Sequence, residues 1–226
     1  MRFSIEPRGD HLLASLQGRE TGEEMRAFLV AVHAACGEHK CPRILMSIRA
    51  SRPVFKPEDY GISTYVHDLV TDKCQVALVG DTPELNAAHE YIEVCARQQN
   101  MNVRAFADEA SALRWLRNSG TEPELSAGAA ARSSGSVPES RRYKFTRIVL
   151  QGAPEEPGVY ALWDGEELVY YGRGTVRSSL LTHLERTRAT HYSWEVCSDP
   201  AAREAELLRE YQRAFGRPPR ENAKPN

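Results

Sequence analysis

Two runs of alternating apolar residues meet at Asp164-Gly165, with Gly158-Val159-Tyr160-Ala161-Leu162-Trp163 before it and Glu167-Leu168-Val169-Tyr170-Tyr171-Gly172 after it. Asp-Gly supplies the positive backbone angles of a tight two-residue turn, so this stretch is confined to a β-hairpin. Such a hairpin sets Tyr160 and Tyr170 on paired strands. Alone, two strand tyrosines are ordinary half-buried aromatics. The glycine beside each one argues for a more specific role.

Helical patterns follow the hairpin. Leu180, Leu181 and Leu184 share one face, and a second helix is expected from about Pro200 to Phe215, with Ala201, Leu207, Leu208 and Tyr211 available for a core. Asn222 lies just past Arg217-Pro218-Pro219.

The first half of the chain reads differently. Phe3 to Ile5 and Leu12 to Leu16 form a strand pair around Pro7-Arg8-Gly9-Asp10, and a helix from about Gly22 to Cys36 buries Met25, Phe28, Leu29 and Val32. Gly37 reads as that helix's stop. A buried strand at Ile44 to Ile48 leads to a helix beginning near Pro57. The next strand, Val76 to Val79, ends at Gly80, where Thr82 caps a helix whose first position is Pro83. Val103 to Phe106 and a helix carrying Leu113, Trp115 and Leu116 finish the block. Strand-helix alternation of this kind predicts an α/β fold on a largely parallel sheet.

Between the halves, residues 118–142 are rich in Ser, Gly, Ala and Pro and lack a sustained apolar period, which predicts a flexible linker. The expected domains are therefore 1–117 and 143–226. With 29 Lys and Arg against 31 Asp and Glu, the formal charge of −2 provides no global basic field for DNA, RNA or anionic lipid. Any nucleic-acid contact must be local. Five cysteines without a CxxC pair fit reduced thiols, and no apolar run approaches the length of a membrane span, so a cytoplasmic protein that does not enter the membrane is expected.

On Gly158-Val159-Tyr160 and Tyr170-Tyr171-Gly172, followed by a helix histidine, a later helix glutamate and a terminal asparagine, the C-terminal part resembles the GIY-YIG endonuclease family over about 75 residues. The resemblance maps the histidine onto His183, the glutamate onto Glu204 and the asparagine onto Asn222. It implies metal-assisted phosphodiester hydrolysis of nucleic acid, with Tyr160 or Tyr170 helping to deprotonate or orient water and Glu204 holding Mg²⁺ or Mn²⁺. The family's helix arginine falls one turn before the histidine, where this chain has Ser179. Arg177 faces elsewhere on the helix, and Arg173, directly after the second motif, is the better source of the cation. The order of elements in residues 1–117 resembles STAS-like domains related to anti-sigma-factor antagonists, which implies a regulatory or interaction role with a protein partner. The antagonists' Asp-Ser-Ser-Gly segment is replaced by Arg49-Ala50-Ser51-Arg52-Pro53, which argues against a phosphoswitch at Ser51. Two functions are thus carried forward, a metal-dependent nuclease and a catalytically silent module that binds nucleic acid or protein.

Two other clusters have plainer readings. His33, Cys36, His39 and Cys41 are zinc-type ligands at short spacing, yet Cys36 continues an apolar helix face and histidine suits a helix C-terminus. Gly80-Asp81-Thr82-Pro83 lacks the glycines of a phosphate cradle and reads as a capped helix start.

Overall fold

A turn of two residues, Gly9 and Asp10, closes the first hairpin: β1 (Arg2–Arg8) pairs antiparallel with β2 (His11–Gln17), Arg8 opposite His11, and Gly9 takes a φ of 69°. The computed structural model describes residues 1–53, 74–118 and 141–223. The chain divides into two compact units, Met1–Glu124 and Leu125–Asn226. Residues 119–140, most of the expected linker, and the helix expected from Pro57 lie outside the described residues.

In the first unit, α1 (Gly22–His39) starts at a reciprocal cap in which the Thr21 side chain accepts from Glu24 N–H and the Glu24 carboxylate accepts from Thr21 N–H. It runs three residues beyond the expected end at Cys36. Gly37 is an interior, exposed helix residue, and Lys40 closes the helix in the left-handed region at φ 49° by donating its N–H to the Cys36 carbonyl. A glycine at a solvent-facing helix position costs too little to stop a helix whose other side is buried.

Strands β3 (Arg43–Arg49), β4 (Gln75–Gly80) and β5 (Val103–Phe106) add in parallel to give the order β1-β2-β3-β4-β5. Helix α2 (Pro83–Gln98) opens at Thr82, whose hydroxyl accepts from Leu85 N–H, and α3 (Glu109–Asn118) follows β5. One sheet face carries Leu12, Ile44, Met46 and Leu78 against α1; the other places Leu45, Ala77 and Val79 against Ala112 and Leu116 of α3. The unit is α/β, with a sheet parallel except at β1.

The second unit orders its four strands β6-β9-β7-β8, all antiparallel: β6 (Tyr143–Lys144), β7 (Pro157–Asp164), β8 (Glu167–Thr175) and β9 (His191–Val196). Its helices are α4 (Arg147–Leu150), α5 (Val176–His183) and α6 (Pro200–Phe215). The β7-β8 hairpin turns at Gly165-Glu166, one residue later than the Asp-Gly pair suggests, and the pairing register shifts between Leu162 and Trp163, which pair with Tyr170 and Leu168. Gly165 keeps the positive φ, at 58°.

Strand β9, absent from the sequence expectations, pairs with both β6 and β7 and buries Tyr192, Ser193 and Trp194. Its interior position makes three consecutive residues inaccessible, so the alternation that marks a half-exposed strand is missing. Helix α6 has the expected bounds, with Asp199 capping it and Gly216 ending it at φ 72°. Leu207 is buried as anticipated, but Ala201 in the first turn is exposed. Among the described residues no helix is long and apolar enough to cross a membrane.

Candidate functional site

Alternation along the hairpin divides its residues between two helices. Val159, Ala161, Leu168 and Tyr171 pack with Leu207 of α6. Gly158 and Tyr160 point the other way, toward Val176, the first residue of α5, and His183, its last. Tyr160 is 3% exposed and Tyr170 is half-buried. Their ring centroids are 6.2 Å apart, and His183 lies 5.7 Å from Tyr160 and 4.9 Å from Tyr170. The three side chains expected from separate stretches of sequence therefore form one aromatic cluster.

The motif glycines have steric reasons. A Cβ on Gly172 would fall on the Cζ of Tyr160, its register partner across the hairpin, and a Cβ on Gly158 would fall on the Glu195 carbonyl oxygen of β9. Gly174, at φ 139°, faces the Ser179 hydroxyl, which is where a Cβ would meet it. Ser179, where the resemblance implies an arginine, is thus turned toward the cluster.

Glu204, in the first half of α6, has a side chain 18% exposed and forms an ion pair with Arg173 at 3.3 Å, the arginine side chain being 53% exposed. Burial raises the Glu204 carboxyl above its usual range, against the opposing pull of Arg173. Burial is also the main cause that raises both tyrosines, and the Glu204 charge adds to it at each. The carboxylate therefore acts on the tyrosine pair electrostatically. The His183 pKa is lowered chiefly by burial, with Glu221 opposing and Arg186 reinforcing, which favours the neutral imidazole.

Asn222 does something the motif alone does not convey. Its Oδ1 accepts from Tyr171 N–H and its Nδ2 donates to the Tyr171 carbonyl, both at 2.8 Å. Strand β8 is an edge strand, and this side-chain amide fills two of its open main-chain positions immediately beside Tyr170. Glu221 N–H adds a bond to the Val169 carbonyl at 3.0 Å, and Arg220 ties the tail to the hairpin tip through Asp164 and Glu167. Asn222 is a positioning residue in this arrangement. Glu221, whose charge acts on both Tyr170 and His183, has no sequence signal beyond adjacency to Asn222.

Arg177 is committed elsewhere, donating from Nε to the Ala153 carbonyl and from Nη1 to Glu155, both at 2.6 Å. Arg203, Glu206 and Glu195 form an ion-pair group on and beside α6. Elsewhere, the Cys36 sulfur lies 3.3 Å from that of Cys74 and also donates to the Cys41 carbonyl. Among the described residues no group of three or more His, Cys, Asp or Glu side chains is arranged to hold a metal ion.

A domain family of unknown function, DUF7508, matches residues 140–214. The matched span contains Tyr160, Tyr170, Arg173, His183 and Glu204 and ends before Asn222. No curated protein matches the chain.

Proposed function

We propose that the second unit is a metal-dependent nucleic-acid phosphodiesterase of the GIY-YIG type, and that the first is a STAS-like domain serving regulation or protein contact. The observation that carries this reading is the convergence of Tyr160, Tyr170 and His183 with a carboxylate, Glu204, and an arginine, Arg173, that interact with one another. The donor set suits Mg²⁺ or Mn²⁺, which bind through one carboxylate and complete their shells with water and substrate phosphate. Bound at Glu204, such a cation would stabilise charge on a scissile phosphodiester.

The chain's own groups supply the rest. The half-buried Tyr170 hydroxyl orients water at the open side of the cluster, and the neutral His183 accepts a proton at a ring nitrogen. Arg173 is exposed enough to turn from Glu204 to a phosphate oxygen, taking the charge role that Ser179 cannot. Asn222 holds the main chain of β8 so that Tyr170 keeps its direction. The charge balance of the whole chain calls for a local rather than global attraction to nucleic acid.

The Arg173–Glu204 pair also favours a second reading, because a carboxylate neutralised within the chain suits a silent module that binds nucleic acid or protein. One experiment separates them. Purified protein is incubated with branched, single-stranded and duplex substrates, with Mg²⁺, Mn²⁺ or a chelator. Metal-dependent cleavage that falls by about two to three orders of magnitude in both Arg173→Ala and Glu204→Gln supports the enzyme. Binding without cleavage under every condition selects the silent module.

A further inference from the structure

Two thiols meet in the core of the first unit, away from the candidate site. Cys36 stands in the last turn of α1, and Cys74 directly precedes β4. They are 38 positions apart along the chain, yet their sulfurs lie 3.3 Å from each other and carry no disulfide. Both belong to the apolar cluster that holds α1 on the sheet, with Val32, Ile44 and Val76. Packing alone accounts for a buried cysteine, which fills space as a small apolar residue. Sulfur-to-sulfur contact adds a chemistry that packing does not require. The partly buried Cys41 does not share it, because its sulfur is directed at the Asp10 and Arg43 carbonyls, at 3.7 and 3.6 Å.

We propose that Cys36 and Cys74 are a reversible oxidation site, closed to a disulfide by hydrogen peroxide, that fastens the end of α1 to the entry of β4. The site is independent of the phosphodiesterase reading. A disulfide bond measures roughly 2.05 Å, so the sulfurs need approach by only about 1.2 Å from their present 3.3 Å. Burial selects the oxidant. Cys36 is 6% exposed and Cys74 1%, which leaves no open line for a bulky disulfide to reach either sulfur, whereas hydrogen peroxide is little larger than water. Cys36, the more exposed of the two, reacts first. Its thiolate takes one peroxide oxygen, the O–O bond breaks, and the released hydroxide leaves with the thiol proton as water, giving a sulfenic acid. The Cys74 sulfur then attacks the Cys36 sulfur, the S–S bond forms, and the displaced hydroxide leaves with the Cys74 proton as a second water. Two electrons pass from the thiol pair to one peroxide. A dithiol reductant returns two electrons and two protons and reopens the pair.

The test uses the full chain at neutral pH, treated with hydrogen peroxide, quenched in denaturant with iodoacetamide, digested and weighed by mass spectrometry. The peptides of Cys36 and Cys74 should be joined and two hydrogens lighter, with no link to Cys41, Cys95 or Cys197, and dithiothreitol should separate them. The link closes a loop of 38 positions, so the calorimetric transition of the first unit should rise by about 8 °C or more on oxidation and return on reduction. In Cys74→Ala peroxide should produce no such rise, and a dimedone quench should label Cys36, stopped at the sulfenic acid. Alkylation of both thiols in the parent after peroxide treatment that oxidises Cys41, or a link formed through Cys41 instead, overturns the proposal and leaves the pair as core packing. A Cys36–Cys74 link that leaves the transition unmoved or lowers it overturns the fastening of α1. Because the first two readouts use the unaltered chain, a folding defect in Cys74→Ala does not affect them.

Discussion

Substituting Gly172 by alanine would test how tightly the tyrosine pair is built. The added Cβ would overlap the Tyr160 ring end at Cζ and the hydroxyl, where carbon atoms normally keep about 3.5–4.0 Å apart. Tyr160 has little room to yield, being 3% exposed and held in register between β8 and β9. Overpacking of this kind costs about 1–3 kcal/mol. For a unit of about 100 residues each kcal/mol corresponds to roughly 4–8 °C in melting temperature, so the transition of the second unit should fall by about 4–24 °C. Calorimetry on the full chain reads the shift, with Gly37→Ala as the contrast: Gly37 is an exposed helix residue whose Cβ would meet nothing within 4 Å, so alanine there should stabilise by about 0.5–1 kcal/mol. The Tyr160 Cζ resonance should move in Gly172→Ala and stay fixed in Gly37→Ala. A Gly172→Ala protein that melts with the parent and leaves that resonance unchanged would refute the steric account of the motif glycine.

Three further outcomes are expected. His89 of α2 is buried and its pKa is lowered from 6.5 to about 4, by burial first and the Arg19 charge second; the unfolded chain takes up the proton first, so stability present above pH 6.5 should decline by on the order of 3 kcal/mol as the pH falls toward 4, and urea midpoints should lose most of that slope in His89→Leu. Burial raises the Glu204 carboxyl, so calorimetric Mg²⁺ or Mn²⁺ binding should weaken on acidification at a higher pH than an ordinary glutamate would require; it should vanish in Glu204→Gln and persist in Glu206→Gln, and equal behaviour of the two variants would remove Glu204 as the ligand. Asn222→Ala removes two bonds to the Tyr171 main chain and should speed hydrogen exchange of the Tyr171 amide at least tenfold while leaving β9 amides unchanged; equal exchange in both proteins would show that the clamp does not hold the strand.

Sequence and structure divide the explanation along physical lines. Local signals carried far: Thr82-Pro83 marks the start of α2, the three-and-four spacing from Met25 to Val32 gives the buried face of α1, and alternation around Gly165 yields the β7-β8 hairpin. These depend on contacts a few residues apart. Gly37 shows the limit of such reasoning, since a helix stop read from one residue lost to the burial of the helix's other face. Strand β9 shows another, because an interior strand has no exposed side to produce an alternating pattern.

The candidate site follows the same rule. The residue types at Tyr160, Tyr170, His183 and Glu204 were legible as a spaced motif, together with the absence of an arginine at Ser179. Sequence by itself determined that these groups exist and which local elements carry them. Only the tertiary structure decided that Arg173 pairs with Glu204, that Arg177 is taken by Ala153 and Glu155, that Asn222 grips the Tyr171 main chain, and that Ser179 faces Gly174. Each of those contacts joins residues separated along the chain or placed on different elements. Its geometry depends on how the sheet and helices pack, and no local pattern encodes that.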